Sequence, residues 1–316
     1  MYNVYKRLSI IFFIFSLNIS IVYNAPLPFS FTQAKTDINA EKDGWEIDLK
    51  RIALNFSQSS LTNQTLYNNF SDSNLKGNSQ LALQFYFTMN VNYYSRRFVA
   101  FNIILAEYGF TQIMQTDKSW LTNKNLDKLL FSTDYTQRMW DFDWGFEEFE
   151  VGPFIKASYQ TEFYPTPSVG RRHIMNYLIG GKLFDGKYFK SLYFDFFGEH
   201  DLNSNTQFNG FGTEIGLSLE YKINKNVRWL YAMSFKKYLY NTQFSRISPD
   251  YQFLIETRIE ARLFKSLSIS PTLRYYILKA KDIGVPASSL ILGVSLNFGK
   301  LVMPAQKPLN KYEFLN

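Results

Sequence analysis

No cysteine occurs in this 316-residue chain, which excludes disulfide frameworks and thiolate chemistry. Histidine is almost as scarce, with His173 and His200 the two copies, so few side chains are suited to general-base work near neutral pH. Beyond the N-terminus no run of about eighteen apolar residues occurs, so a helical transmembrane domain is excluded. Charge of one sign is not concentrated either. The net charge is +7, but Lys and Arg are scattered among acids, unlike the basic faces that bind nucleic acid. GFGTEIG (210–216) departs from G-x-G-x-x-G and opens a strand rather than a helix, which removes a nucleotide-binding reading.

Aromatic and alternating residues are abundant. The chain carries 31 Phe, 22 Tyr and 5 Trp, and Tyr and Trp favour places where apolar matter meets water. A content of 46% hydrophobic and 19% charged residues excludes disorder for the chain as a whole. In DYQFLIETRIEARLF, Tyr251, Phe253, Ile255, Thr257, Ile259, Ala261 and Leu263 fall on one side of a strand, opposite Gln252, Glu256, Arg258, Glu260 and Arg262.

Such patterns predict strands over 45–58, 79–94, 97–113, 126–138, 147–162, 174–184, 188–201, 211–223, 226–240, 250–264, 266–279 and 288–299. The apolar rows read Leu83, Phe85, Phe87, Met89 in the second strand, Val99, Phe101, Ile103, Leu105 in the third, and Ile215, Leu217, Leu219, Tyr221 in the eighth. Connections alternate between tight turns, such as YSRR (94–97) and FKS (264–266), and long loops. Strands of this length exceed those of soluble sandwiches and approach what crosses a bilayer obliquely, where every backbone polar group must be paired. The expected fold is therefore all-β: a transmembrane antiparallel up-and-down β-barrel of about 12 strands, apolar outside and charged inside, with short periplasmic turns.

Lys6 and Arg7 precede LSIIFFIFSLNISIVY, the basic and apolar regions of a secretory signal. The expected division is a signal peptide over 1–25, with cleavage as late as 34, a periplasmic N-terminal segment over 26–43, the barrel over 44–300 and a periplasmic tail over 301–316. Retention of the apolar run as a helical anchor is the alternative. In the last strand Leu290, Leu292, Val294, Leu296 and Phe298 alternate with small or polar residues, which resembles the closing strand of outer-membrane barrels. Trp45, LNFSQSSLTN (54–63) and FNIILAEYGF (101–110) together resemble a family of secreted bacterial barrel-like proteins to which no function is assigned. Gln64 stands where that family carries a second Trp. The resemblance implies a barrel and no activity.

The lumen-facing candidates are Glu150, Lys156, Asp195, Glu214, Glu220, Glu256, Arg258, Glu260, Arg262 and Arg274. Charges of both signs can pair across a narrow interior, which the inward Tyr86, Tyr94, Phe154, Tyr193, Phe197, Tyr238 and Tyr276 would further fill. These residues point to a structural, adhesive or restricted small-solute passage role. No catalytic residue, metal ligand or cofactor is expected. The expected partners are outer-membrane lipid, lipopolysaccharide and the barrel-assembly machinery, with the protein a monomer. The competing reading is a lipid-acting enzyme, a phospholipase or lipid A hydrolase, using His200 and Ser204. It resembles the His-x-Ser-Asn-Gly arrangement of an outer-membrane phospholipase, but here the two residues are about 13 Å apart if extended at ~3.3 Å per residue. Asp141, Asp143, Gly145, Glu147 and Glu148 begin like a calcium loop without completing it, and are read as a solvated turn.

Overall fold

The computed structural model describes residues 42–67, 81–114, 120–143, 147–165, 171–202, 208–242 and 248–306. The proposed signal peptide, Ser204 and residues 307–316 lie outside the described residues. Thirteen strands are present among those described: β1 (Gly44–Thr62), β2 (Leu81–Tyr94), β3 (Phe98–Met114), β4 (Trp120–Gln137), β5 (Trp140–Asp143), β6 (Glu148–Thr161), β7 (His173–Phe184), β8 (Phe189–Asp201), β9 (Asn209–Lys222), β10 (Val227–Asn241), β11 (Pro249–Arg262), β12 (Leu267–Ala280) and β13 (Ala287–Met303). Apart from β4 and β5, which do not pair with each other, consecutive strands pair antiparallel; β1 also pairs β13 and β4 pairs β6, so twelve long strands close a ring.

β5 is the lower part of β4 after an interruption at Arg138 and Met139. Both β4 and β5 pair with β6, through Thr136↔Phe154 above the interruption and Trp140↔Val151 below it. Closure is tight at this point. A Cβ added to Gly152 would lie 1.6 Å from the Gln137 carbonyl oxygen, so only glycine lets β6 approach β4. The same economy operates in the lumen at Gly216, whose missing side chain makes room for the Tyr193 ring.

Strand pairing assigns each residue to a face, because directly opposed residues share a side of the sheet. Tyr86, Gln84 and Tyr94 of β2 are buried and face inward. Their partners on β3 are Glu107, Gly109 and Val99. The odd row of β3 is therefore interior, which corrects the expected placement of Val99, Phe101, Ile103 and Leu105 on the outer face. Both rows of β3 are apolar, so alternation could not distinguish them; the charged Glu107 on the odd row was the discriminating residue.

Two boundaries also differ from expectation. Lys300 to Met303 extend β13, with Leu301↔Asp48 and Met303↔Ile47 paired, and Asp43 and Gln306 exchange two backbone hydrogen bonds of 2.8 Å. The tail expected from residue 301 thus begins inside the ladder, and Ala305 packs on Tyr94, Val99 and Phe184 at the short-turn mouth. Pro304, which cannot donate to a ladder, marks the end of the strand. β4 starts at Trp120 rather than 126, because the polar TNKN segment hides the alternation.

Gly152→Ala should destabilise the barrel by at least about 1–3 kcal/mol, the usual cost of forcing volume into a packed site. Gly181→Ala, where an added Cβ meets nothing within 4 Å, should change stability by less than about 0.5 kcal/mol. Urea unfolding of the refolded protein in detergent, read by the gel-mobility difference between heated and unheated samples, distinguishes the two.

Candidate functional site: a charged lumen crossed by ion pairs

Glu256 and Arg274 sit directly opposite each other on β11 and β12, where the side chains of a ladder pair meet. Arg274 Nη2 lies 2.9 Å from Glu256 Oε2 and, from the same nitrogen, 3.2 Å from Glu107 Oε1 on β3. Three strands, β13, β1 and β2, separate β12 from β3 around the wall. The second contact therefore crosses the lumen rather than following the sheet, and it narrows the interior at this height.

Arg51 joins the group because of a register shift. Strict alternation from Ile47 and Leu49 would turn it outward, but the shift between Leu49 and Arg51 reverses the face. Its Nε donates to Asn297 Oδ1 (2.8 Å) and its Nη2 to Ser295 Oγ (3.2 Å), while Nη1 approaches Glu256 Oε1 at 4.0 Å. The guanidinium lies 4.6 Å from the centre of the Tyr86 ring, in cation–π range. Tyr86 donates to Gln84, which also accepts from Asn55. A recess is left between Arg51, Asn55, Tyr86, Glu256, Thr272, Arg274 and Ile291.

Nearer the short turns, Arg228 pairs with Glu260 at 3.1 Å and Glu220 at 3.5 Å, and Ser268 donates to Glu260. Arg258 makes no ion pair among the described residues, because its two neighbours on the inward row are committed to Arg274 and Arg228. Arg262 is exposed at the rim. The cluster of five charges expected on β11 and β12 is thus divided into two ion-paired groups with Arg258 between them.

The wall from β4 to β10 is arranged differently. Lys236 contacts Glu199 at 3.3 Å and Glu214 at 3.9 Å, beneath the Phe197 ring. Tyr193 donates to Glu214 at 2.7 Å. Lys182 reaches Asp134 at 2.9 Å and lies 4.2 Å from the Phe101 ring centre. Asp195 is fully buried opposite Glu214, with neither carboxylate oxygen hydrogen-bonded by a described residue. Lys156 faces inward beside Asp134, and Glu150 meets Arg138 at 3.0 Å. Phe154, Leu178, Phe197, Phe208 and Tyr238 form an apolar plug between these charges. Arg51, Glu107, Asp134, Lys182, Glu199, Arg228 and Lys236 were not singled out from sequence; inward parity alone would have found most of them, though not Arg51.

At the short-turn mouth Lys42 meets Glu46 at 3.2 Å above the Tyr94 ring. Burial opposes its charge, but Tyr94, Glu46 and Asp185 outweigh that effect and hold its pKa at about 12. Glu147, from the acidic turn considered for calcium, accepts the backbone N–H of Tyr188 (2.8 Å) and of Phe189 (3.1 Å) and so clamps the neighbouring turn. Among the described residues no group of three or more acids and histidines is placed to hold a metal.

Both histidines face outward at the long-loop rim. His200 hydrogen-bonds Asn209, its partner across β8 and β9, and His173 hydrogen-bonds and stacks on Tyr159. Two residues beyond His200 stands exposed Leu202, not a hydroxyl.

No family model and no curated protein matches the chain. Among solved structures, it is similar to outer membrane phospholipase A from Escherichia coli at 9% identity and a TM-score of 0.43, covering 80% of this chain and 98% of that one. The outer membrane channel DcaP of Acinetobacter baumannii gives 9% identity and a TM-score of 0.39, over 84% and 100% of the two chains. The translocator domain of the autotransporter NalP from Neisseria meningitidis gives 9% and 0.28, over 82% and 90%. The architecture described above rests on the strand ladders themselves, and no activity is carried over from these neighbours.

Removing Arg274 leaves Glu107 without its cation and Glu256 with its nearest remaining guanidinium, Arg51, 4.0 Å away. Arg274→Met should therefore cost about 3–5 kcal/mol, as broken buried pairs do. Arg262→Met, at the exposed rim, should stay within about 0.5 kcal/mol. Equilibrium unfolding of the two variants side by side checks the difference.

Proposed function

We propose that this protein is an outer-membrane β-barrel that serves as a restricted passage for small solutes and has no catalytic activity. The observation that carries the reading is the inversion of polarity across the wall. Outside, Ile155 is 57%, Ile179 60%, Phe194 51% and Leu292 50% exposed, whereas Asp195, Ser270 and Ser295 inside are fully buried. A soluble protein would not present so continuous an apolar surface to water, and hydrocarbon admits only strands that close on themselves.

Aromatic residues border the apolar band. Trp45, Tyr93, Phe98 and Tyr135 form a chain of ring contacts near the short turns, with centroids 5.0–5.9 Å apart. Near the long loops Tyr108 contacts Phe163 and Tyr164. Phe98 and Tyr108 lie on one outer row of β3, a separation of about 33 Å along the strand at ~3.3 Å per residue. With the ~35–45° tilt usual in such barrels, this is roughly 25 Å along the axis, the height of an outer-membrane apolar band. On this reading the short turns face the periplasm, the long loops face the lipopolysaccharide leaflet, and the protein is a monomer delivered by the barrel-assembly machinery. The His200–Asn209 pair favours lipid hydrolysis as a second reading, since a base held by an amide on the lipid-facing wall suits a lipid substrate; Leu202 beside it supplies no nucleophile.

Twelve strands lie between the filled eight-stranded and the open sixteen-stranded barrel, so side chains decide the bore. Glu107→Gln weakens the contact that crosses the lumen while keeping its volume. The wild-type protein in planar bilayers should show small conductance steps, and Glu107→Gln should enlarge them or lengthen their open time. Recovery in the soluble periplasm would contradict the membrane reading, and phospholipid hydrolysis lost in His200→Ala would replace the passage reading with the second.

A further inference from the structure

The first and last described residues of the barrel leave the wall at the same place. β13 runs to Met303, Pro304 ends it, and Asp43 and Gln306 are then joined by two backbone hydrogen bonds of 2.8 Å, one in each direction. Gly44, which opens β1, has φ +79°, in the left-handed region that favours glycine, so the chain can turn where it leaves the ladder. On one side of this turn the Lys42 ammonium lies 4.7 Å from the centre of the Tyr94 ring. On the other, Ala305 packs against the buried cluster of Tyr94, Val99 and Phe184.

Those three residues sit on the inward rows of β2, β3 and β7. Five strands separate β13 from β7 whichever way the ring is followed: β12 to β8 on one side, and β1, β2, β3, β4 and β6 on the other. A residue that follows β13 and packs on a cluster containing Phe184 therefore lies over the bore and not along the wall. Phe101 completes the surface beneath it, with its ring centre 6.3 Å from that of Tyr94 and 6.1 Å from that of Phe184.

Little holds this crossing segment down. The two hydrogen bonds join its halves to each other. Its ties to the wall are the Lys42 ammonium, 3.2 Å from Glu46 and 3.4 Å from the Tyr94 hydroxyl, the attraction of Lys42 to Asp185 on the turn after β7, and the apolar contact of Ala305. The Lys42 side chain is 41% exposed, so water screens its ion pair. β1 and β13, by contrast, share a ladder from Ile47↔Met303 to Thr62↔Ser288. A segment with so few contacts opens long before such a ladder does.

We propose that Lys42, Asp43 and residues 304–306 form a strap that closes the short-turn mouth of the lumen and swings away at Gly44 and Pro304 to open it. This is a regulation of the passage proposed above and rests on that reading for what the mouth admits. Closure of the mouth is measurable without transport, so the two ideas can fail separately.

Asp43→Cys with Gln306→Cys locks the strap, since residues that exchange both ladder hydrogen bonds stand about 5.5 Å apart at Cα, within reach of a disulfide. Two variants release it: a chain ending at Met303, and the full-length Asp43→Pro with Gln306→Pro, which removes both N–H donors. Each is first verified as folded by heat-modifiable gel mobility. Asn92→Cys, at the buried inward position of β2 next to Tyr94, reports access to the lumen through the rate at which the introduced thiol reacts with a cationic methanethiosulfonate in detergent. Planar bilayers report opening. The lock pair should form its disulfide on oxidation and suppress conductance steps until a reductant is added. Release should lengthen the open time, and the thiol should react about tenfold faster in the double-proline chain, the shift expected from losing two hydrogen bonds. Faster reaction without conductance in any variant would uphold the strap and remove the passage. Conductance that neither lock nor release alters would keep the passage and overturn the strap. So would failure of the disulfide to form in the folded barrel, or a thiol that reacts equally fast in the full-length and both released chains.

Discussion

Backbone hydrogen bonding governs this structure, because a strand surrounded by hydrocarbon cannot leave its N–H and C=O groups to water. Every strand must find two neighbours, and the only arrangement that gives the first and last strands theirs is a ring. The pairing of β1 with β13 supplies one part of that ring and the shorter pairing of β4 with β6 another. The latter depends on a glycine at 152 and on the interruption at Arg138 and Met139, which lets one strand keep contact with β6 along two separate stretches.

Closure then fixes the chemistry of both surfaces. Once the ring is complete, each strand has one row facing inward, and polar residues collect there. A narrow interior cannot solvate many charges, so they must compensate one another. Arg274 does so by joining β12 to β3, Lys236 by joining β10 to β8, and Lys182 by joining β7 to β4. These contacts brace the wall and fill the bore together. The aromatic plug around Phe154, Phe197 and Tyr238 completes the filling on one side, while on the other a small recess remains beside Arg51, Glu256 and Arg274.

Much of this was legible in the sequence because strand periodicity reports directly on an inside and an outside. Ile215 to Tyr221 and Leu290 to Phe298 alternate so cleanly that their faces follow from composition. β3 was misread for the opposite reason: Val99, Phe101, Ile103 and Leu105 are as apolar as Phe98, Ala100 and Ile104, and only Glu107 carried information. Arg51 was hidden by the register shift that reverses its face, which no periodicity reveals. Cross-lumen pairs such as Glu107 with Arg274 were out of reach as well, since parity says which side a residue faces but not what lies opposite it through the bore. The lower half of β4 was read as a turn because WDFDWGF carries acids and glycine, though its first four residues continue the ladder.

The third strand offers the most direct measurement, because there the paired structure and simple hydropathy disagree. The absence of native cysteine allows single cysteines at Ile103 and Ile104 to carry nitroxide labels in reconstituted bilayers. The structure predicts that the label at 104 is relaxed strongly by oxygen dissolved in the lipid and that the label at 103 is shielded from it within the packed lumen. The reverse pattern, with 103 in lipid and 104 inside, would contradict the strand register on which the closed barrel and its cross-lumen charge pairs both depend.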